Sequence, residues 1–236
     1  DYLERYAPDP LRYMLTVHAP ETADSDFSWQ DYYDRNNNEL VGTWGNLAHR
    51  MLSFAYRNFE GQVPTPGELL PEDVAIISLA EEAFQTVGEE IEACRFRSAV
   101  GKAMAVAREA NRYLDAAAPW KSLKTDRERA ATATYVALKV VDSLKVLFAP
   151  FLPFSSQALH EALGYDTNLL GEQEVREYDE DGQTHRALTY RYDWEGDIWT
   201  PSRLEPGRAI QPPKPLFTKL DESMVEEERA RLGHPA

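Results

Sequence analysis

Cysteine is nearly absent from this chain: Cys94 is the only one among 236 residues. A disulfide within the chain needs two and a thiolate zinc site needs several, so both are excluded. A lone thiol also suits a reducing, cytoplasmic setting. Long apolar runs are missing too. No stretch approaches the roughly 18 consecutive apolar residues that read as a bilayer span. The opening DYLERYAPDPLRY has neither the basic end nor the apolar centre of a secretory signal. There is no Gly-rich phosphate loop, no HExxH and no CxxC. His18, His49, His160, His185 and His234 stand at no metal-ligand spacing, and no nucleophile–base arrangement is fixed by the sequence. Internal repeats and low-complexity tracts are also lacking. These absences leave a recognition module as the expectation, with no metal site and no catalytic residue in this chain.

Positive charge is scarce as well. The chain carries 25 Lys and Arg against 40 Asp and Glu, a net charge of −15. Taken as an average, that argues against a polyanionic partner. The distribution is uneven, however. Residues 1–34 sum to −6, residues 58–94 to −9 and residues 166–236 to −7, whereas residues 35–57 sum to +2 and residues 95–129 to +5. Two basic segments inside an acidic protein could form a local polyanion-binding patch whose surroundings reject loose contact. They could equally be ordinary helix faces of mixed charge, and charge alone does not choose.

What is abundant is helical periodicity. Pro10 in APDPLRYMLTV suits a helix start, and Ser28 is positioned as an N-cap for a long helix. Across 40–59, Leu40, Trp44, Leu47, Ala48, Met51, Leu52, Ala55 and Phe59 recur with the 3.6 period. After the breaker GQVPTPGELLP, a helix over about 72–92 turns Ile77, Ala80, Phe84, Val87 and Ile91 inward. Another over about 94–117 does so with Phe96, Val100, Ala103, Ala107, Ala110 and Leu114. AAAPWKSLK interrupts it, helices follow over about 125–148 and up to Gly164, and the set predicts an antiparallel helix bundle. Beyond Gly164, two β-prone runs around DEDG predict a hairpin at about 174–192. The proline-rich stretch after it should be extended and wrap back over the bundle. The charged 222–236 should be a short exposed helix or a frayed end.

One feature of the 40–59 helix needs a purpose. Asn46, Arg50, Ser53 and Arg57 fall together on the face opposite its apolar set. An amide with both a donor and an acceptor, one turn from a planar fork of donors, can read the edges of unpaired bases. Such bases also need an aromatic platform, and Trp120 is available at the helix break after Pro119, beside Lys121 and Lys124. The residues by themselves leave the bland reading open, in which Trp120 plugs the end of the bundle and Asn46 is merely solvated.

The stretch from APDPLRYMLTVHAPETADSDFSWQDYYDRNNNELVGTWGNLAHR, with the later NRYLDAAAPWK, resembles the C-terminal part of the methionyl-tRNA synthetases. The likeness is strong over 1–165 and returns at PKPLFTKLD. It implies a mainly α, class I synthetase anticodon-binding bundle over 35–165, preceded by a connecting segment over 1–34 and followed by an extension over 166–236. It implies that Asn46 and Arg50 read bases of a CAU anticodon and that Trp120 after Pro119 stacks on the first of them; the neighbouring Arg57, Lys121 and Lys124 are, by their charge, candidates for contact with RNA backbone. The implied partners are the initiator and elongator methionine tRNAs, with neither DNA nor a membrane among them, and no oligomer is predicted. The HIGH- and KMSKS-like signatures of the family's catalytic domain are not in this sequence. The expectation is therefore a truncated ligase that binds tRNA without aminoacylating it, with ATP, magnesium and any zinc belonging to the remaining part. Asp24 and Asp26 are unusual neighbours for phosphate and could serve a sugar hydroxyl, a basic side chain or simply a cap. An anticodon domain of another class I synthetase is the nearer alternative, and a protein-interaction bundle the farther one.

Overall fold

The computed structural model describes residues 2–21, 24–191 and 198–232. The last residue of the hairpin expectation, and residues 192–197 and 233–236 of the predicted extension, lie outside them.

A short 3-10 turn, Tyr2–Glu4, leads to α1, Pro8–Val17, which starts at Pro8, two residues before the expected Pro10. Ser28 caps α2, Trp29–Arg35, its hydroxyl accepting from the Asp31 amide at 3.0 Å. From there the chain continues helically to α3, Asn46–Asn58, but not as the regular helix the period suggests. Asn36–Gly45 winds as a π-helix between the two. The two glycines show why. A Cβ on Gly42 would lie 3.0 Å from the Asn37 carbonyl oxygen, and one on Gly45 only 2.8 Å from that of Leu40. In both cases the oxygen belongs to the fifth residue back, the signature of i→i+5 winding.

Helices α4, Pro71–Glu92, α5, Phe96–Ala117, and α7, Arg127–Phe148, form the centre of the bundle with α3. Leu40, Trp44, Leu47, Met51 and Ala55 are buried as the periodicity predicts, with Trp44 against Phe148 at 5.0 Å between ring centres. Small residues on α5, namely Ala99, Ala103, Ala107 and Ala110, let the helices approach closely. Phe96 departs from expectation. It is the first residue of α5, ahead of the buried stripe that opens at Ala99, and it stays exposed. The four-residue α6, Pro119–Ser122, links α5 to α7, and α8, Pro153–Ala162, closes the bundle, with Gly164 left-handed just beyond it.

Strands β1, Glu172–Glu180, and β2, Gln183–Arg191, pair antiparallel around Asp181 and Gly182. Positive φ at both turn residues, 52° and 78°, is the primed turn that DEDG signals. From 198 onward the tail crosses the bundle. Trp199 donates its indole N–H to the Phe84 carbonyl at 2.8 Å, Ile210 donates to Gly61 and Gln211 to Ala162, and Leu204, Ile210 and Phe217 are buried. The Asn run holds the tail's end: Asn36 donates to the Thr218 carbonyl, while Asn37 exchanges two hydrogen bonds with Leu220.

The final helix refines an expectation. Helix α9, Ser223–Arg231, is short and mostly exposed but not frayed: it buries Met224 and Val225 beside Met14 and Tyr32. Glu228, also buried, accepts from Arg5 and from the Tyr6 hydroxyl, each at 2.8 Å. The two ends of the chain are thereby tied together. Among the described residues, no helix is long and apolar enough to cross a membrane.

Candidate nucleic-acid interface

Helix α5 ends at Ala118, whose left-handed backbone (φ 38°, ψ 59°) reverses the chain. Pro119 follows as the first residue of α6, where its missing N–H costs nothing and its fixed φ suits the helix. Both residues are buried, and the sharp turn they make throws Trp120 outward with 41% of its surface exposed. The indole is therefore not the bundle plug that composition alone allows.

Arg50 of α3 meets it there. Its guanidinium lies over the Trp120 ring at 5.1 Å from the centroid, and one Nη is 3.6 Å from the Asp115 carboxylate. The two side chains line a cavity of about 440 Å³ together with His49, Ser53, Phe54 and Arg57. Asn46, one turn earlier on α3, is exposed and opens on the adjoining cavity of about 320 Å³, walled by Gly42, His49 and the tail residues Pro215–Phe217. The structure thus brings Arg50, Arg57 and Trp120 into one pocket, sets Asn46 in the next, and buries Pro119 at the start of α6, one residue before Trp120. Lys121 and Lys124 are exposed on α6 and beyond it without lining either cavity.

The electrostatics separate the basic residues into two groups. Arg95 and Lys102 pair with Glu90, Arg112 with Glu109, and Arg129 with Asp73. Among the described residues Arg57, Lys121 and Lys124 have no carboxylate partner; Arg57 lines the Trp120 cavity, and the two lysines follow Trp120 in the chain. Arg127 adds to this edge, donating to the Asn58 carbonyl at 2.7 Å with its guanidinium over Phe59. Asp24 and Asp26 are exposed and make no side-chain hydrogen bond or ion pair among the described residues.

The end of the bundle that carries α6 is braced from within. Asp73, fully buried on α4, accepts from both Arg129 amino groups at 2.6 and 2.7 Å, from the Tyr113 hydroxyl and from the Leu70 amide. Burial pushes its carboxyl up, but the Arg129 and Tyr113 hydrogen bonds outweigh that and hold it below the ordinary carboxylate range. Since Tyr113 precedes α6 and Arg129 follows it, this buried cluster fixes the two ends between which Trp120 is presented.

Three contributors were not read from the sequence. His49 lines both cavities, and its place between Asn46 and Arg50 in NLAHR was the available signal. Arg127 lies beyond the APWK motif. Pro215–Phe217 lie in PKPLFTKLD and in the stretch expected to wrap over the bundle, but nothing local in a proline-rich stretch reports which helix it covers. Among the described residues no group of three or more His, Cys, Asp or Glu side chains could hold a metal ion.

Comparison with known proteins decides the family. The profile described as the anticodon binding domain of methionyl tRNA ligase matches residues 63–186, more than half of the chain. The chain belongs to the methionyl-tRNA ligase family. A second profile, class I tRNA synthetases of the methionine type, matches residues 1–52. Asn46 and Arg50 thus fall in one match and Trp120 in the other, so the pocket sits where the two meet in space. The methionine–tRNA ligases of Chloroflexus aggregans and Thermomicrobium roseum are each 51% identical over 234 residues, 98% of this chain. The chain spans 39% and 40% of the length of these curated relatives. The free-state crystal structure of Mycobacterium tuberculosis methionyl-tRNA synthetase superposes with a TM-score of 0.76 at 26% identity, covering 92% of this chain and 40% of that one. This chain carries the family's anticodon-binding domain, on a mainly helical bundle with a two-stranded hairpin.

Proposed function

We propose that this chain binds the anticodon loop of methionine tRNAs, initiator and elongator alike, and reads CAU through Trp120, Arg50 and Asn46. The observation that carries this reading is the exposed Trp120 indole with the Arg50 guanidinium 5.1 Å over its ring. An indole presented at a helix reversal offers a stacking surface to a base turned out of the loop, and stacking of this kind contributes about 1–3 kcal/mol per base. Arg50 and Asn46 then supply donors and an acceptor for base edges, which stacking alone cannot discriminate. Arg57, Lys121 and Lys124 supply uncompensated charge for the backbone, and Pro119 holds the indole in place. We assign 1–34 as the connecting segment, 35–165 as the binding bundle and 166–236 as an extension over it.

For the whole protein we propose ATP-dependent ligation of methionine to tRNA, in the cytoplasm, with anticodon binding energy placing the acceptor end in a distant active site. We assign ATP, magnesium and any zinc to the remaining part of the protein.

Titration of this chain with RNA stem-loops tests the reading. A CAU loop should bind more tightly than loops with altered anticodons, and Trp120→Ala should weaken it by about 1–3 kcal/mol. Equal affinity for cognate and altered loops would remove the case for anticodon reading.

A further inference from the structure

The two cavities on α3 share one wall, and that wall is His49. On one side lie Arg50 and Trp120, and on the other Asn46 and the tail residues Pro215–Phe217. The imidazole is partly exposed, and among the described residues neither of its nitrogens has a hydrogen-bond partner. Its ring therefore has one face or edge available to each side.

The second cavity is built by segments far apart in sequence. Its floor depends on Gly45, where a Cβ would come within 3.0 Å of the Phe217 ring, so the missing side chain lets the tail close against the π-helical stretch. Phe217 is buried there, whereas Lys214 on one side of this wall and Lys219 on the other are exposed and make no ion pair among the described residues. The result is a recess with an amide, an imidazole and a proline–aromatic wall, flanked by free positive charge. Those are the components of a single-stranded nucleotide site: a flat apolar surface, edge-reading polar groups and cations for the phosphate. Asn46 and Arg50, one helical turn apart, stand as neighbours on the helix surface, a spacing over which successive nucleotides of a splayed strand can be taken up.

Building on the anticodon reading above, we propose that His49 and the Pro215–Phe217 stretch form a second nucleotide subsite, in which the base next to the one on Trp120 is seated against the imidazole and read by Asn46. The tail is then a wall of the RNA site as well as a strap over the bundle. Trp120 and His49 act on different anticodon positions, and the partition between the two cavities keeps neighbouring bases apart.

The experiment compares the unmodified chain, His49→Ala, His49→Gln and Trp120→Ala against four stem-loops: CAU and three loops each with one anticodon base replaced. Fluorescence anisotropy gives the affinities, and thermal melting checks that each variant is folded. His49→Ala should weaken the CAU loop about tenfold, a stacking loss near the low end of the known range. It should also flatten discrimination at one anticodon position, a different one from that affected by Trp120→Ala. His49→Gln should restore part of any edge reading. The subsite is overturned if His49→Ala keeps the parent's affinities for all four loops, or weakens all four alike. If the unmodified chain shows no preference for CAU, the anticodon reading falls and the subsite falls with it.

Discussion

Arg50 has two partners in the free chain that it must partly give up when a base arrives: the Trp120 ring at 5.1 Å and the Asp115 carboxylate at 3.6 Å. The guanidinium covers the same aromatic face that a nucleobase would use, so binding exchanges a cation–π contact for a base sandwiched between indole and guanidinium. Asp115 holds Arg50 back from that exchange and also places a negative charge beside the incoming phosphates. Its side chain is 70% exposed, and an ion pair so open to water is weak. The arrangement therefore keeps Arg50 near its working position without locking it. Asp115→Asn should raise the affinity for a CAU stem-loop about two- to fivefold, the range set by an exposed pair. An unchanged or lower affinity in the same anisotropy titration would mean that Asp115 orients Arg50 and does not compete with RNA for it.

At the scale of elements, the π-helical stretch Asn36–Gly45 decides how α3 presents its polar face, because every residue after it is rotated relative to a regular helix. Gly45→Ala sets two effects against each other. Helix propensity alone favours alanine by about 1 kcal/mol. Against this, the new methyl would meet the Leu40 carbonyl at 2.8 Å and the Phe217 ring at 3.0 Å, and overpacking of that kind costs typically 1–3 kcal/mol. Backbone cannot yield as a flexible side chain does, so the contact should win. Urea unfolding should show a net loss of about 1 kcal/mol or more, and a stabilised variant would show that the packing there is loose. The same glycine marks the limit of what the sequence discloses. The cap at Ser28, the buried face of α3 and the DEDG turn are all local, written in residues within one or two turns of each other, and each was legible. The π winding was not, because the apolar period across 40–59 reads the same for a regular helix, and the packing of Phe217 against Gly45 comes from the far end of the chain. The docking of helix α9 was missed for a related reason. It buries only Met224, Val225 and Glu228, too narrow a stripe to show as periodicity. At the site, Trp120 could be singled out because Pro119 breaks the helix before it, whereas the tail's share in the Asn46 cavity left no mark on local pattern.

For the molecule as a whole, the tail and the bundle are joined by a polar cluster that the RNA site does not use. Asp142 and Lys145 of α7, each 3% exposed, form a buried ion pair, and the Tyr165 hydroxyl donates to Asp142 at 3.1 Å. The Tyr165 ring lies under Arg208 of the tail at 4.2 Å and stacks on His160 of α8 at 4.4 Å. Burial first, then the charge of Lys145, pushes His160 from its ordinary value of 6.5 down to about 4, with Arg208 acting in the same direction and Asp142 and Asp166 against it. Between those two values the unfolded chain binds a proton on this histidine and the folded chain does not. Stability contributed by the neutral ring is therefore complete above pH 6.5 and is lost as the pH falls toward 4. Allowing for partial screening, the loss should amount to roughly 2 kcal/mol. Asp73 does not contribute in this interval. Its carboxyl lies below the ordinary carboxylate value, so its stabilisation is withdrawn only at still lower pH. Urea unfolding at pH 7 and pH 4.5 should show the difference for the parent chain, and His160→Gln should remove most of it while leaving the remaining acid sensitivity of the carboxylates. A variant as acid-sensitive as the parent would shift the cause to carboxylates elsewhere in the fold and leave His160 a packing residue.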